Sequence, residues 1–121
     1  MKKIMLIDDE DDVRSIVSGM LSHIYDIDSK NDPDIALDVF KQSPETFDLV
    51  ITDMNLGIGR INGIDLSANM LQVRKDIPII LFTGYGSYMG RGLSRSVPIA
   101  KCVTKPISQE KLLDIIKDII G

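Results

Sequence analysis

The chain has 121 residues, of which 44% are hydrophobic and 26% charged, with a formal net charge of -4 at pH 7. These values are typical of one ordinary globular domain with room for a core, and they argue against a nucleic-acid-binding domain. No apolar run approaches the roughly 18 residues that span a bilayer, and the start lacks the pattern of a secretory signal. We therefore expect no membrane insertion. Cys102 is the one cysteine, which is typical of a protein of the reducing cytoplasm.

Short apolar runs alternate along the chain with segments of helical character. The apolar runs predict five strands, at residues 3–7, 24–30, 47–52, 79–82 and 100–104. Periodicity and capping residues predict five helices, which begin in the acidic run 8–12, at Asp32-Pro33, at Gly63, near residue 86 and at Ser108. In the first helix the predicted apolar stripe is Val13, Ile16, Val17, Met20 and Leu21.

Five strand-helix units in alternation predict an α/β fold with one parallel sheet and helices on both of its faces. The crossovers between neighbouring parallel strands are expected to be right-handed. The segment at residues 86–97 is the weakest helix prediction, since glycines at positions 86, 90 and 92 each lower helix propensity.

Polar residues stand where four of the predicted strands end. They are Asp8 and Asp9 after the first strand, Asp53 after the third, Thr83 after the fourth and Lys105 after the fifth. In a parallel sheet these ends share one edge, where ligands of open α/β sheets bind. Taken alone, Asp53 could serve only to cap a turn.

Three carboxylates that converge at one edge repel each other and require a cation. A small set of hard oxygen ligands, completed by water, suits Mg²⁺. A carboxylate such as Asp53 can then attack a phosphorus atom as a nucleophile. Lys105 would neutralise charge on the transferring oxygens, and Thr83 offers a hydroxyl. Because the chain has no Walker-type glycine loop, a nucleotide is not the expected phosphoryl donor.

Five pieces of the sequence, in their order and spacing, resemble the receiver domain of two-component response regulators. These pieces are residues 7–10, residues 48–53, Asn62-Gly63, residues 78–84 and Thr104-Lys105-Pro106. The resemblance covers the whole chain and implies one receiver domain over residues 1–121. It implies a doubly wound, flavodoxin-like (βα)5 fold with strand order 2-1-3-4-5.

The resemblance also implies a function and a set of site residues. The implied function is that of a cytoplasmic phosphoacceptor that takes a phosphoryl group from a histidine kinase or histidine phosphotransfer protein and switches its interaction surface. Such a protein is not an enzyme beyond self-phosphorylation and slow self-dephosphorylation. The implied roles are Asp53 as phosphoacceptor, Asp8 and Asp9 as the Mg²⁺-binding acidic pair, the Asn55 backbone carbonyl as a further Mg²⁺ ligand, Thr83 as switch hydroxyl and Lys105 as phosphate contact. The Lys105–Pro106 peptide is expected to be cis.

The sequence departs from the usual receiver pattern beside the site and in the switch. Gly57 stands where receivers usually carry proline, and residues 58–61 form an expanded loop before Asn62-Gly63. Cys102 occupies the position of the usual switch aromatic, and Gly84 that of the usual alanine.

These departures leave room for other interpretations. A degenerate receiver that binds partners without phosphorylation is the main alternative. A phosphotransferase or phosphatase would usually need a second carboxylate where Asn55 stands, and a flavin carrier would need a phosphate-cradling loop after the first strand. His23 is expected to be a surface residue and Cys102 a packing residue, and the side chain of Asn55 could be only a loop former.

Overall fold

The computed structural model describes residues 1–84 and 97–121. Its elements follow the chain in this order: β1 Lys3–Ile7, α1 Asp11–Leu21, β2 Asp26–Lys30, α2 Pro33–Gln42, a short 3-10 turn Pro44–Thr46, β3 Leu49–Asp53, α3 Gly63–Val73, β4 Ile79–Thr83, β5 Lys101–Thr104 and α4 Gln109–Ile120. The helix predicted near residue 86 lies outside the described residues.

The five strands form one parallel sheet in the order β2-β1-β3-β4-β5. The predicted fold class and strand order are therefore confirmed. The register aligns the strand ends: Ile7 lies beside Thr52, Asp53 beside Phe82 and Thr83 beside Thr104. The chain segments that follow β1, β3, β4 and β5 consequently leave the sheet at the same edge.

Helices cover both faces of the sheet. Alternate residues of each strand point to opposite sides, so both faces present apolar side chains against which helices pack. On one face, Ile4 and Leu6 pack with residues of α1 and α4. On the other, Met5 and Ile7 pack with residues of α2 and α3. All four of these β1 side chains are buried, as expected for a central strand of a parallel sheet.

Capping residues fix where three of the helices begin. The Asp32 carboxylate accepts hydrogen bonds from the backbone N–H groups of Asp34 and Ile35 and caps α2. The Asn62 side chain caps α3, and the Ser108 hydroxyl oxygen caps α4. These contacts satisfy backbone donors that have no partner within the helix.

Several local predictions differ from the structure: β3 spans Leu49–Asp53 rather than residues 47–52, β5 begins at Lys101 rather than at residue 100, and α1 and β2 differ as follows. Apolar periodicity assigns Ile16 to the buried stripe of α1, but Ile16 is 60% exposed, and the buried residues of that helix are Val17 and Leu21. Strand β2 begins at Asp26 rather than at residue 24. The backbone N–H groups of Ile24 and Tyr25 donate to the Leu21 carbonyl, which continues the turn that ends α1.

Across the described ranges, none of the helices combines the length and the apolar character that a membrane span requires.

Candidate functional site

Asp53 is the last residue of β3 and lies at the centre of the carboxyl edge of the sheet. Its residue surface is only 8% exposed. The carboxylate oxygen Oδ2 lies 3.1 Å from the ammonium nitrogen of Lys105, which follows β5. Burial raises the pKa of Asp53 above its ordinary value, although Lys105 acts in the opposite direction, and the nearby Asp8 raises it further.

The Lys105 ammonium group contacts a second carboxylate as well. Its Nζ atom lies 3.3 Å from Oδ2 of Asp8, so one cation bridges the residues that follow β1 and end β3. Burial by itself would lower the pKa of Lys105, but Asp53 and Asp8 together outweigh it and raise that pKa. The Lys105 backbone N–H donates to the Thr83 carbonyl at 2.9 Å, and the Lys105–Pro106 peptide is cis.

Asp8 is held in place by its neighbours at the start of α1. Its Oδ1 atom accepts a hydrogen bond from the Glu10 backbone N–H at 2.9 Å, and the Arg14 guanidinium donates to its backbone carbonyl at 2.9 Å. Asp9, the next residue, is exposed to solvent. The Asp8 side chain thus points into the edge of the sheet, with one oxygen fixed by backbone and the other facing Lys105.

Asp8, Asp9 and Asp53 each offer one carboxylate oxygen to a common position, and these three atoms lie within 4.8 Å of one another. An all-oxygen donor set at this spacing fits a hard divalent cation such as Mg²⁺. A site for a softer metal would instead be expected to contain thiolate or imidazole ligands. The donor set therefore fits the cation that the sequence predicts.

A cavity of about 540 Å³ opens beside these carboxylates. Asp53, Asn55, Thr83 and Lys105 all line it. Thr83 is buried, with 4% of its surface exposed, and forms the end of β4. The structure thus places every predicted site residue either on this cavity or in the three-carboxylate cluster next to it.

The Asn55 side chain shapes the loop that leaves the site. Its Oδ1 atom accepts a hydrogen bond from the Gly57 backbone N–H at 3.2 Å, which is the loop-forming role considered for this side chain. Gly57 and Gly59 both have positive φ angles, 113° and 77°, which favour glycine. The ligand role of the Asn55 carbonyl stays a prediction.

The base of the same loop is closed tightly against β3. The Gly63 backbone N–H donates to the Met54 carbonyl at 2.8 Å. A Cβ atom at Gly63 would lie 2.2 Å from the Asp53 carbonyl oxygen, so a side chain cannot be accommodated here without movement. The Asn62-Gly63 pair thus returns the chain directly beneath the candidate phosphoacceptor.

Sequence reasoning missed one ion pair at the tip of this loop. Nη1 of Arg60 lies 2.8 Å from Oδ2 of Asp32, the residue that caps α2. The hydrogen bond from Arg60 lowers the pKa of Asp32, with burial acting in the opposite direction. A basic residue in an expanded loop was visible in the sequence, but its partner across the edge of the sheet was not.

Two other residues lie away from the cavity. His23 is exposed and follows the carboxyl end of α1, as expected for a surface residue. Cys102 is half-buried in β5, where it packs against the cluster of Ile64, Leu81 and Val97.

An α/β sheet of this strand order, with an acidic cluster and a lysine at its carboxyl edge, defines the receiver class of signalling domains. The family model of the response regulator receiver domain matches residues 4–117. The chain therefore belongs to this family.

Curated relatives match across nearly the whole chain. The chain is 25% identical to a transcriptional regulatory protein CpxR homolog of Haemophilus influenzae, over 99% of this chain and 51% of the relative. It is 28% identical to the transcriptional regulatory protein ComA of Bacillus subtilis, over 100% of this chain and 57% of the relative. The chain thus spans about half the length of these curated relatives.

Solved structures agree with the fold. A response regulator receiver domain protein from Clostridium thermocellum superposes with a TM-score of 0.90 at 22% identity, covering 99% of this chain and 94% of the other. The response regulator TrrA from Thermotoga maritima was solved in complex with Mg²⁺ and BeF. It superposes with a TM-score of 0.84 at 28% identity, covering 98% of this chain and 99% of TrrA.

Proposed function

We propose that this receiver domain, over residues 1–121, accepts a phosphoryl group on Asp53 from a histidine kinase or a histidine phosphotransfer protein. The observation that carries the proposal is the position of Lys105, whose ammonium group contacts both Asp8 and Asp53 at the edge of the sheet. A fixed cation beside a carboxylate nucleophile is what phosphoryl transfer requires, since negative charge collects on the transferring oxygens. The proposed setting is the cytoplasm.

Asp8, Asp9 and Asp53, with the Asn55 backbone carbonyl, would hold Mg²⁺. The support is the spacing of the three carboxylate oxygens and the presence of Asn55 on the same cavity. The related TrrA, which binds Mg²⁺ and BeF, supports the same assignment. When bound, Mg²⁺ would neutralise two of the converging charges and polarise the phosphoryl oxygens.

In the proposed reaction an Asp53 carboxylate oxygen attacks the phosphorus of a phosphohistidine. The new bond joins that oxygen to phosphorus, and the phosphorus–nitrogen bond breaks. The electron pair of the broken bond stays with the imidazole nitrogen, which takes up a proton. Lys105 neutralises charge on the phosphoryl oxygens, and the Thr83 hydroxyl donates to one of them.

The response to phosphorylation would pass through the backbone at Gly84 and through the 57–61 loop rather than through the switch position of β5. Cys102 is half-buried and packed, and its side chain is far smaller than the aromatic that usually stands there. Gly84 is exposed directly after Thr83, and the 57–61 loop lies beside Asp9. We expect the largest backbone changes at these two positions when Thr83 moves toward a phosphoryl group, with the contacts that hold the 57–61 loop adjusting to the change.

The test is labelling of the intact protein by acetyl phosphate in the presence of Mg²⁺. We expect the wild type to gain the mass of one phosphoryl group and Asp53→Asn to gain none. Asp9→Ala should be labelled weakly because it loses a metal ligand. Equal labelling of wild type and Asp53→Asn would refute the acceptor assignment. A wild type that is never labelled, even with its Mg²⁺ site filled, would favour the degenerate receiver instead.

A further inference from the structure

The loop of residues 57–61, between β3 and α3, is fastened at its tip as well as at its base. At the base, Gly63 donates to the Met54 carbonyl. Within the loop, the Arg60 backbone N–H donates to the Gly57 carbonyl at 3.3 Å and closes a turn. At the tip, the Arg60 guanidinium lies 2.8 Å from Asp32, on the connection between β2 and α2. The ion pair therefore joins two loops that follow non-neighbouring strands.

The fastened turn lies against the acidic cluster. A Cβ atom built on Gly57 would lie 3.4 Å from Cδ of Arg60 and 3.7 Å from Oδ2 of Asp9. Gly57 thus lies close to both side chains, with about the room of a methyl group between them, and its N–H donates to Oδ1 of Asn55. The Arg60–Asp32 pair fixes a turn that lies near Asp9, one candidate Mg²⁺ ligand, and that is hydrogen-bonded to the side chain of Asn55, whose backbone carbonyl is a second candidate.

We propose that Arg60 is a positioning residue for the Mg²⁺ site, because its ion pair with Asp32 holds the Gly57 turn where Asp9 and Asn55 share one cation. This inference rests on the proposed function, in which those residues bind Mg²⁺. Arg60 itself is not a ligand, and it acts only through the turn. Residues 57–61 form the part of the site that departs most from the usual receiver pattern, so the Arg60–Asp32 contact is a feature of this chain rather than of receivers in general.

Charge and position predict opposite results for the loss of Arg60. Arg60 is a cation near Asp9, so its removal would strengthen Mg²⁺ binding if only the charge mattered. If Arg60 positions the turn, its removal releases Asp9 and Asn55 and weakens Mg²⁺ binding. Both side chains of the pair are partly exposed, 41% for Arg60 and 24% for Asp32, so the effect must be modest and sensitive to salt.

The experiment is a Mg²⁺ titration of the full chain, wild type against Arg60→Met, at low salt. Methionine keeps an unbranched side chain over Gly57 and removes the guanidinium. We expect the dissociation constant for Mg²⁺ to rise about two- to fivefold, which corresponds to the loss of one partly exposed ion pair. The difference should shrink in 1 M KCl. Unchanged or tighter binding by Arg60→Met would overturn the inference.

Two further variants separate positioning from general damage. Arg60→Lys keeps a cation of similar reach and should bind Mg²⁺ more tightly than Arg60→Met; if the two bind alike, the ion pair is not the cause. The double variant Arg60→Met/Asp32→Asn should bind as Arg60→Met does, because the two residues act as one pair. Additive losses would contradict that.

The outcomes also distinguish this inference from the proposed function. A wild type that binds no Mg²⁺ refutes the proposed function, and the inference falls with it. A wild type that binds Mg²⁺ and is labelled on Asp53, beside an Arg60→Met variant with the same affinity, refutes the inference alone.

Discussion

Two cations near the three-carboxylate cluster, Lys105 and Arg60, differ in burial. On the β5 side, Lys105 is 23% exposed and contacts two carboxylates that are themselves nearly inaccessible. On the loop side, Arg60 is 41% exposed and contacts one carboxylate on another loop. Loss of the cation should therefore have different consequences at the two places. Loss of the buried cation leaves two charges unpaired in a medium of low dielectric constant, whereas loss of the exposed one frees a loop.

The largest expected effect is that of Lys105→Met on the stability of the metal-free protein. We expect the free energy of unfolding at pH 7 to fall by about 2–4 kcal/mol, because Asp8 and Asp53 lose their shared counter-ion while they stay buried. Urea denaturation measures the change. Added Mg²⁺ should restore part of the loss, and a variant as stable as the wild type would contradict the contrast between the two sides.

The pH dependence of this effect follows from the raised pKa of Lys105. A cation whose pKa is raised on folding contributes its stabilisation below the unfolded pKa, which is about 10.4 for lysine, and loses it as the pH rises through the folded pKa. The wild type should therefore approach the stability of Lys105→Met only above that range. A gap that closes already between pH 7 and pH 9 would argue against the ion pair as its source.

The second effect is smaller and has the opposite sign. Asp53→Asn should stabilise the metal-free protein by about 1 kcal/mol at pH 7, because burial makes the charged form of Asp53 unfavourable. Since the pKa of Asp53 is raised, the wild type is favoured below the usual aspartate pKa near 4 and loses stability as the pH rises through the folded pKa. Asparagine has no such loss, so its advantage should vanish near pH 4.

The same pair of proteins gives the control for this prediction. With saturating Mg²⁺ the order should reverse, since wild type gains binding energy through Asp53 and the variant lacks that ligand. An Asp53→Asn variant that is less stable than wild type in the absence of Mg²⁺ would show that the contact with Lys105 outweighs burial.

Local sequence patterns were enough to predict that Asp8, Asp53 and Lys105 lie together. Short apolar runs marked the strands, and the parallel topology then required Asp8, Asp53 and Lys105 to meet at one edge. Apolar periodicity was less informative at the surface. Ile16 follows the spacing of the α1 stripe, yet it lies at its margin, and periodicity alone does not show how far the neighbouring chain covers a helix.

The exposed ion pair between Arg60 and Asp32 could not be predicted from the same patterns. The Arg60–Asp32 pair joins two loops that are far apart in the sequence. The pairing depends on the turn that the two positive-φ glycines allow, and the sequence showed only that the loop was long. Asp32 was identified for its capping role, and one of its oxygens fulfils that role while the other contacts Arg60.

Because the two carboxylate oxygens of Asp32 make separate contacts, the smallest expected effect is that of Asp32→Asn on stability. Asparagine caps a helix as well as aspartate does, so Oδ1 can still accept from Asp34 and Ile35. Only the ion pair with Arg60 is lost, and at an exposed site that loss should leave the urea midpoint at pH 7 within error of the wild type.

The pH dependence of this small effect follows from the pKa of Asp32, which Arg60 lowers. Any stabilisation by the ion pair is present above the unfolded pKa and disappears as the pH falls through the folded pKa. Wild type and variant should thus be equally stable once the pH has fallen below the folded pKa of Asp32. Asp32→Ala is the matched control, since it removes the cap as well and should be less stable than Asp32→Asn throughout. If Asp32→Asn were as damaging as Lys105→Met, the exposed pair would be part of the fold rather than a device that positions one loop.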